Sequence, residues 1–154
     1  MKNIIAITAI LFTMLAMQAC DKGSNSPALF YSMNAVVGTD SFNADGPSKA
    51  YINGTASGGI EYTDLWGKAS NGKVINIRLI SSPGVPLPRG ASIPVNNGQV
   101  LVYYYPRGFD SSFIYGVYGS VVLSAVSPSY IGTFNFTCAD STQVTNGTFN
   151  IKAP

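Results

Sequence analysis

From about residue 30 onwards, apolar and polar residues alternate with a period of two, the pattern of a β-strand with one buried face. In "VINIRLI", for example, Ile75, Ile77 and Leu79 lie on one side of the strand, and Asn76 and Arg78 lie on the other. About eight or nine short segments of this kind are separated by turn residues. They predict an all-β domain over residues 30–154, built as a single antiparallel β-sandwich or open barrel.

Turn-forming residues refine this prediction. The turn of a first hairpin is expected at Gly38 to Asp40. Gly116 and Gly119 interrupt the longest predicted strand and are candidate β-bulges. Proline has no N–H to give to a neighbouring strand, so the proline-rich connection before "VLVYYY" cannot be a central strand. Its prolines are Pro83, Pro86, Pro88 and Pro94.

The C-terminal third contains a short internal repeat, "GTFNFT" from Gly132 and "GTFNIK" from Gly147. Two copies are too few for a repeat architecture, so we expect two neighbouring strands with similar burial demands. Cys138 shares the apolar face of the first copy with two phenylalanines. We therefore expect it to be a small buried apolar side chain rather than a reactive thiol.

The N-terminus predicts export and a lipid anchor. Lys2 precedes an apolar run from Ile4 to Met17, which is too short to span a bilayer and fits a signal peptide over residues 1–19. The run ends in "MQAC", which resembles a bacterial lipobox. Such a site implies cleavage before Cys20 and lipidation of its thiol, with residues 20–29 as the lipidated cysteine and a flexible tether. The alternative is a secreted protein with an incidental cysteine.

Composition and charge narrow the possible functions. The chain has nine basic and seven acidic residues, and loss of Lys2 with the signal peptide leaves eight against seven. A nearly neutral domain gives no reason to expect nucleic acid as a partner. The chain has no histidine, which excludes Ser-His-Asp and Cys-His catalysis and the commonest metal ligand. Glu61 and Asp64 are three residues apart and fall on opposite faces of a strand. We expect no enzymatic activity, catalytic residue, metal or cofactor.

The tyrosine-rich segments are the candidate ligand platform. If "VLVYYY" pairs with "FIYGVY", Tyr103 and Tyr105 share one face of the first strand and Tyr104 lies on the other. Tyr115 and Tyr118 come from the second strand. Exposed tyrosines could stack on sugar rings or cover a peptide. The alternative is that they are ordinary cross-strand aromatic pairs that stabilise the sheet.

From about Ser32 to Lys152 the chain contains, in order, "SMNAVVGTDSFNA", "RGASIPV", a tyrosine-rich strand pair and "GTFNFTCADSTQVTNGTFNI". In this order of motifs it resembles a family of small lipoproteins from Bacteroidota that is known only as a domain of unknown function. The resemblance implies one β-sandwich-like domain behind a lipobox and assigns no catalytic residue. An aromatic residue such as tryptophan is common in the family where this chain has Phe42. Asp140-Ser141-Thr142 also resembles an O-glycosylation motif of exported Bacteroidota proteins, with Ser141 as the acceptor.

These observations predict a lipid-anchored, non-enzymatic envelope lipoprotein that acts as a small binding module for a glycan or protein ligand. The membrane is its partner through the anchor at Cys20, and the outer membrane is the favoured location. Whether the domain faces the periplasm or the outside stays open. Two alternatives also stay open: a structural envelope protein that partners another membrane protein, and an immunity-type protein against a periplasmic toxin.

Overall fold

The computed structural model describes residues 31–109 and 112–153, so the predicted signal peptide, tether and Cys20 lie outside the described residues. The described residues form ten strands and no helix, and none of them lies in a helix that could cross a membrane. The strands are β1 (Tyr31–Val37), β2 (Asp40–Asp45), β3 (Ala50–Ser57), β4 (Ile60–Lys68), β5 (Val74–Ser81), β6 (Ser92–Pro94), β7 (Val100–Tyr105), β8 (Ile114–Val126), β9 (Ser129–Cys138) and β10 (Gln143–Lys152).

The strands form one antiparallel sheet that curls into a half-barrel, which confirms the predicted all-β fold. Its order is β2-β1-β10-β9-β8-β7-β5-β4-β3, and β6 pairs with residues 120–122 of β8. The proline-rich connection supplies only β6, a strand of three residues beside the main path. This agrees with the expectation that the connection cannot provide a central strand.

The inner face of the curled sheet forms the core, which contains Leu65, Ile77, Val102, Phe134 and Phe149 among other buried apolar side chains. The two ends of the sheet meet where β1 crosses β4. There Met33 packs directly over Gly67, and a β-carbon at residue 67 would lie 2.7 Å from the sulfur of Met33. The close approach of the two ends therefore requires a residue without a side chain at this position.

Two tight hairpins follow from local sequence. The β1–β2 turn consists of Gly38 and Thr39, which lie between the paired residues Val37 and Asp40, as the sequence predicts. The β3–β4 turn consists of Gly58 and Gly59, both with positive φ, the conformation that a two-residue hairpin loop demands.

The internal repeat "GTF" is explained by reciprocal packing of glycine and phenylalanine between β9 and β10. Gly132 pairs with Phe149, and Gly147 pairs with Phe134, in the register of the two strands. Each phenylalanine ring covers the glycine opposite, and the two rings stack at 6.2 Å. Both strands therefore need a glycine two residues before a phenylalanine, which accounts for these two positions of the repeat.

β-Bulges bend the strands on both sides of β9. In β8 the register shifts between Gly116 and Tyr118, which confirms a bulge where the glycines of this strand predict one. In β10 it shifts between Val144 and Gly147, and Asn146 has a positive φ of 53°. Bulges increase local twist and redirect side chains, so the outer surface around β9 departs from a regular sheet.

We predict that Gly147→Ala destabilises the protein by about 1–3 kcal/mol, because the new β-carbon would lie 2.5 Å from Cδ2 of Phe134 and overpack the core. Chemical denaturation measures the change. The matched control is Gly54→Ala in β3, where the nearest atom, the carbonyl oxygen of Tyr62, is 4.0 Å away. Equal stabilities of the two variants would contradict the packing that we describe.

Candidate functional site

The outer face of the sheet carries a continuous cluster of aromatic side chains, which we call the aromatic patch. Neighbouring rings in it have centroids between 4.8 and 6.3 Å apart. The patch consists of Tyr51, Trp66, Tyr103, Tyr105, Phe109, Phe113 and Tyr115. It extends from β3 to β8.

The strand register places four of these rings in one row across the sheet. Tyr51 pairs with Trp66, Trp66 with Asn76, Asn76 with Tyr103, and Tyr103 with Tyr115. Each pair lies directly opposite on neighbouring strands, so all five side chains emerge on the same face. The row spans five strands, or about 19 Å at a spacing of about 4.8 Å. It is long enough for a chain of several sugar residues or for an extended peptide.

The connection between β7 and β8 completes the patch. Phe113 stands edge-on to Tyr115 at 4.8 Å and to Tyr103 at 5.3 Å, while Phe109 lies 5.2 Å from Trp66. The outward-facing Val74 is fully buried although it does not belong to the core cluster. Part of the patch therefore acts as a second, small hydrophobic cluster outside the sheet.

A polar network lies beside the aromatic row. Arg78 donates two hydrogen bonds to Asp64, from Nε to Oδ1 at 2.8 Å and from Nη2 to Oδ2 at 2.9 Å. The amide of Asn76 donates to Oδ1 of Asp64 and to the carbonyl of Leu65, both at 3.3 Å. Asp64 is only 4 % exposed, so its charge depends on these partners. The network holds Arg78 in a fixed position among the rings.

Two cationic side chains, Arg78 and Lys68, lie against rings of the outer face. The guanidinium of Arg78 lies 5.6 Å from the ring centroid of Tyr62 and 6.0 Å from that of Tyr103, and the ammonium of Lys68 lies 5.8 Å from that of Phe109. The hydrogen bond to Asp64 raises the pKa of Arg78. Burial raises the pKa of Tyr103. At neutral pH the site therefore presents a guanidinium cation and a neutral tyrosine hydroxyl.

The rim of the patch is open to solvent. Tyr115 is 51 % exposed, Phe109 47 % and Phe113 41 %. Large apolar side chains that are exposed together mark interaction surfaces more often than isolated ones do. Cross-strand stabilisation alone would not require the loop phenylalanines to remain half in solvent.

The five tyrosines that the sequence singled out fall into three environments. Tyr103, Tyr105 and Tyr115 belong to the aromatic patch. Tyr104 points to the opposite face and is buried in the core, because successive residues of a strand alternate between faces. The platform therefore does not contain it. Tyr118 is 75 % exposed, beyond the bulge of β8, and is not among the rings of the patch.

Cys138 and Ser141 lie at opposite extremes of burial. Cys138 is buried in the core as expected, and burial raises the pKa of its thiol to about 12, with a further contribution from Asp140. Ser141 is exposed at the β9–β10 turn with a φ of 69°. Its hydroxyl is therefore in a position that a modifying enzyme could reach, and O-glycosylation at Ser141 stays a prediction.

Four members of the patch were missed by sequence reasoning: Tyr51, Trp66, Phe109 and Phe113. A signal was present for one of them. In "IEYTDLWGK" the residues that alternate with the apolar Leu65 include Tyr62, Asp64 and Trp66, so an aromatic and a charged side chain share the outer face. The pairing of β4 with β5, and of β5 with β7, was needed to bring this face beside the tyrosines.

Within residues 31–109 and 112–153, no group of three or more potential ligands among His, Cys, Asp and Glu could hold a metal ion. Comparisons with protein-family models, with curated proteins and with solved structures found no match.

We predict that Asp64→Ala lowers the free energy of unfolding by about 1–3 kcal/mol, because it leaves Arg78 without its carboxylate acceptor and leaves the buried amide of Asn76 with only the carbonyl of Leu65. The matched control is Asp40→Ala, which removes the 2.6 Å ion pair with Lys73 on the surface, where screening by water makes such pairs weak. Urea denaturation distinguishes the two. An Asp64→Ala variant as stable as the control variant would show that the network does not support the site.

Proposed function

We propose that this protein is a lipid-anchored, non-enzymatic lipoprotein of the bacterial envelope, and that its aromatic patch binds glycans. The observation that carries the proposal is the row of rings from Tyr51 to Tyr115, which crosses five strands and is partly exposed. Aromatic faces can stack against the apolar faces of sugar rings, and tyrosine hydroxyls can bond sugar hydroxyls. Such a surface can bind a ligand without making or breaking any covalent bond in it.

Polar groups beside the row support a glycan over a purely apolar partner. Binding sites for small polar ligands combine apolar walls with a few well-placed hydrogen-bonding groups. Arg78 supplies such a group, since its side chain is 36 % exposed while Asp64 holds it in place. A protein ligand would meet the same rings, so the experiment must separate the two partners.

The anchor rests on the sequence. The short apolar run, the "MQAC" segment and the polar tether together favour lipidation at Cys20, and the resemblance to small Bacteroidota lipoproteins has the same implication. Anchoring would place the binding domain within one tether length of the membrane, and we propose the outer membrane as its location.

We predict that neutral linear oligosaccharides change the fluorescence of Trp66 in a saturable manner, because this residue is the chain's only tryptophan and lies in the aromatic row. The probes are hexamers of glucose, xylose and N-acetylglucosamine, titrated into the full-length protein in detergent. Tyr115→Ala should weaken the binding that Trp66 reports by about tenfold, equivalent to about 1.4 kcal/mol.

The matched control is Tyr118→Ala, which removes a tyrosine that is more exposed than Tyr115 but lies outside the aromatic patch, and it should leave the Trp66 titration unchanged. If no probe alters Trp66 emission, or if Tyr115→Ala and Tyr118→Ala behave alike, the patch is not a glycan site. If no glycan changes the fluorescence, but the protein captures an envelope protein that the Tyr115→Ala variant fails to capture, the patch is instead assigned to a protein ligand.

We predict that Cys20→Ser moves the protein from the membrane fraction to the soluble fraction and abolishes its labelling with radioactive fatty acid, because the thiol is the proposed site of lipidation. Cys138→Ala is the control, since its buried thiol lies in the folded domain and this variant should stay membrane-bound and labelled. A Cys20→Ser protein that remains labelled and sedimented with membranes would refute the anchor.

A further inference from the structure

A second surface of the sheet, over β9 and β10, contains open, shallow clefts. Two adjoining clefts of about 350 and 480 Å³ lie on the outer face of β9 and β10 and share Asn135 and Thr145. We call them together the bulge groove. Its polar lining consists of Tyr118, Thr133, Asn135, Thr137, Gln143, Thr145, Asn146 and Thr148.

The two β-bulges produce this groove. In β10, Thr145 and Asn146 together lie opposite the single residue Asn135 of β9. On the other side of β9, the bulge of β8 follows Gly116 and precedes Tyr118. Bulges break the regular ladder and turn side chains away from their usual direction. Asn135 and Thr137 thus lie between two distorted strands rather than on a flat sheet.

The lining of the bulge groove contains amides and hydroxyls and no charged side chain. The side chains of Asn135 and Asn146 are exposed, so their amides face solvent at the surface of the groove. Amides and hydroxyls each offer both donors and acceptors, which match the hydroxyl groups of a neutral sugar. An ionic ligand would find no countercharge in the lining.

Tyr118 supplies an independent observation. It lines the groove, and at 75 % exposure it is the most exposed of the large hydrophobic side chains in the described residues. A tyrosine that packs for stability buries most of its ring, as Tyr104 does in the core. The ring of Tyr118 is instead available to stack on a ligand at one end of the groove.

We infer that the bulge groove is a second binding site, specific for neutral glycans and separate from the aromatic patch. Its affinity comes mainly from hydrogen bonds to Asn135, Thr145 and Asn146, with one stacking contact on Tyr118. The inference does not depend on binding at the aromatic patch, because no residue is shared by the two sites.

Calorimetric titration of the full-length protein in detergent tests this inference, with the same neutral hexasaccharides and with a polygalacturonic acid hexamer as a charged probe. Tyr118→Ala and Asn135→Ala should each weaken binding of a neutral probe by about fivefold, the effect of losing one contact of this kind. Tyr115→Ala should leave this binding event unchanged, and Trp66 fluorescence should not follow it. The charged hexamer should bind more weakly than the neutral ones.

A neutral probe whose calorimetric affinity is unaffected by both groove variants would overturn the inference, as would the absence of any heat of binding with the whole panel. Preferential binding of the charged hexamer that depends on Asn135 would also contradict it. Because Trp66 reports only on the aromatic patch, failure of the groove and failure of the patch give different patterns. Asn135→Gln keeps the amide and serves as the conservative control for folding.

Discussion

The packing of Met33 against Gly67 joins the two ends of one sheet, and the remaining architecture depends on this closure. A single curled sheet must supply both walls of its own core, so the inner face accepts only apolar side chains and glycine. The reciprocal pairs between Gly132 and Phe149 and between Gly147 and Phe134 meet the same demand on the opposite side. Each phenylalanine ring occupies the space that a side chain would fill if the residue opposite were not glycine.

The curling of the sheet also determines which side chains face solvent. Because strand residues alternate between faces, about half of every strand must face solvent, and the chemistry of those positions is free to serve binding. The outer face is divided between two kinds of surface. From β3 to β8 it carries the aromatic patch and the Asp64–Arg78 pair, whereas over β9 and β10 it carries amides and hydroxyls. A ligand with both apolar ring faces and hydroxyl groups could use either surface.

The sequence predicted those features that depend on local pattern. Period-two alternation identified the strands and placed Tyr104 opposite Tyr103 and Tyr105, and the glycines of β8 indicated a bulge. Features that depend on pairing between distant strands were not predictable in the same way. Trp66 joins the tyrosines only because β5 lies between β4 and β7, and alternation within one strand carries no information about its neighbours. The loop residues Phe109 and Phe113 follow no strand period, so their return to the sheet required the structure.

A crystal structure of the protein with a bound neutral hexasaccharide tests the central claim, that the outer face of this sheet is a glycan-binding surface, most directly. The account predicts sugar rings stacked along the row from Tyr51 to Tyr115, with a hydroxyl group within hydrogen-bonding distance of Arg78. Sugar found only away from both the aromatic patch and the bulge groove would contradict it.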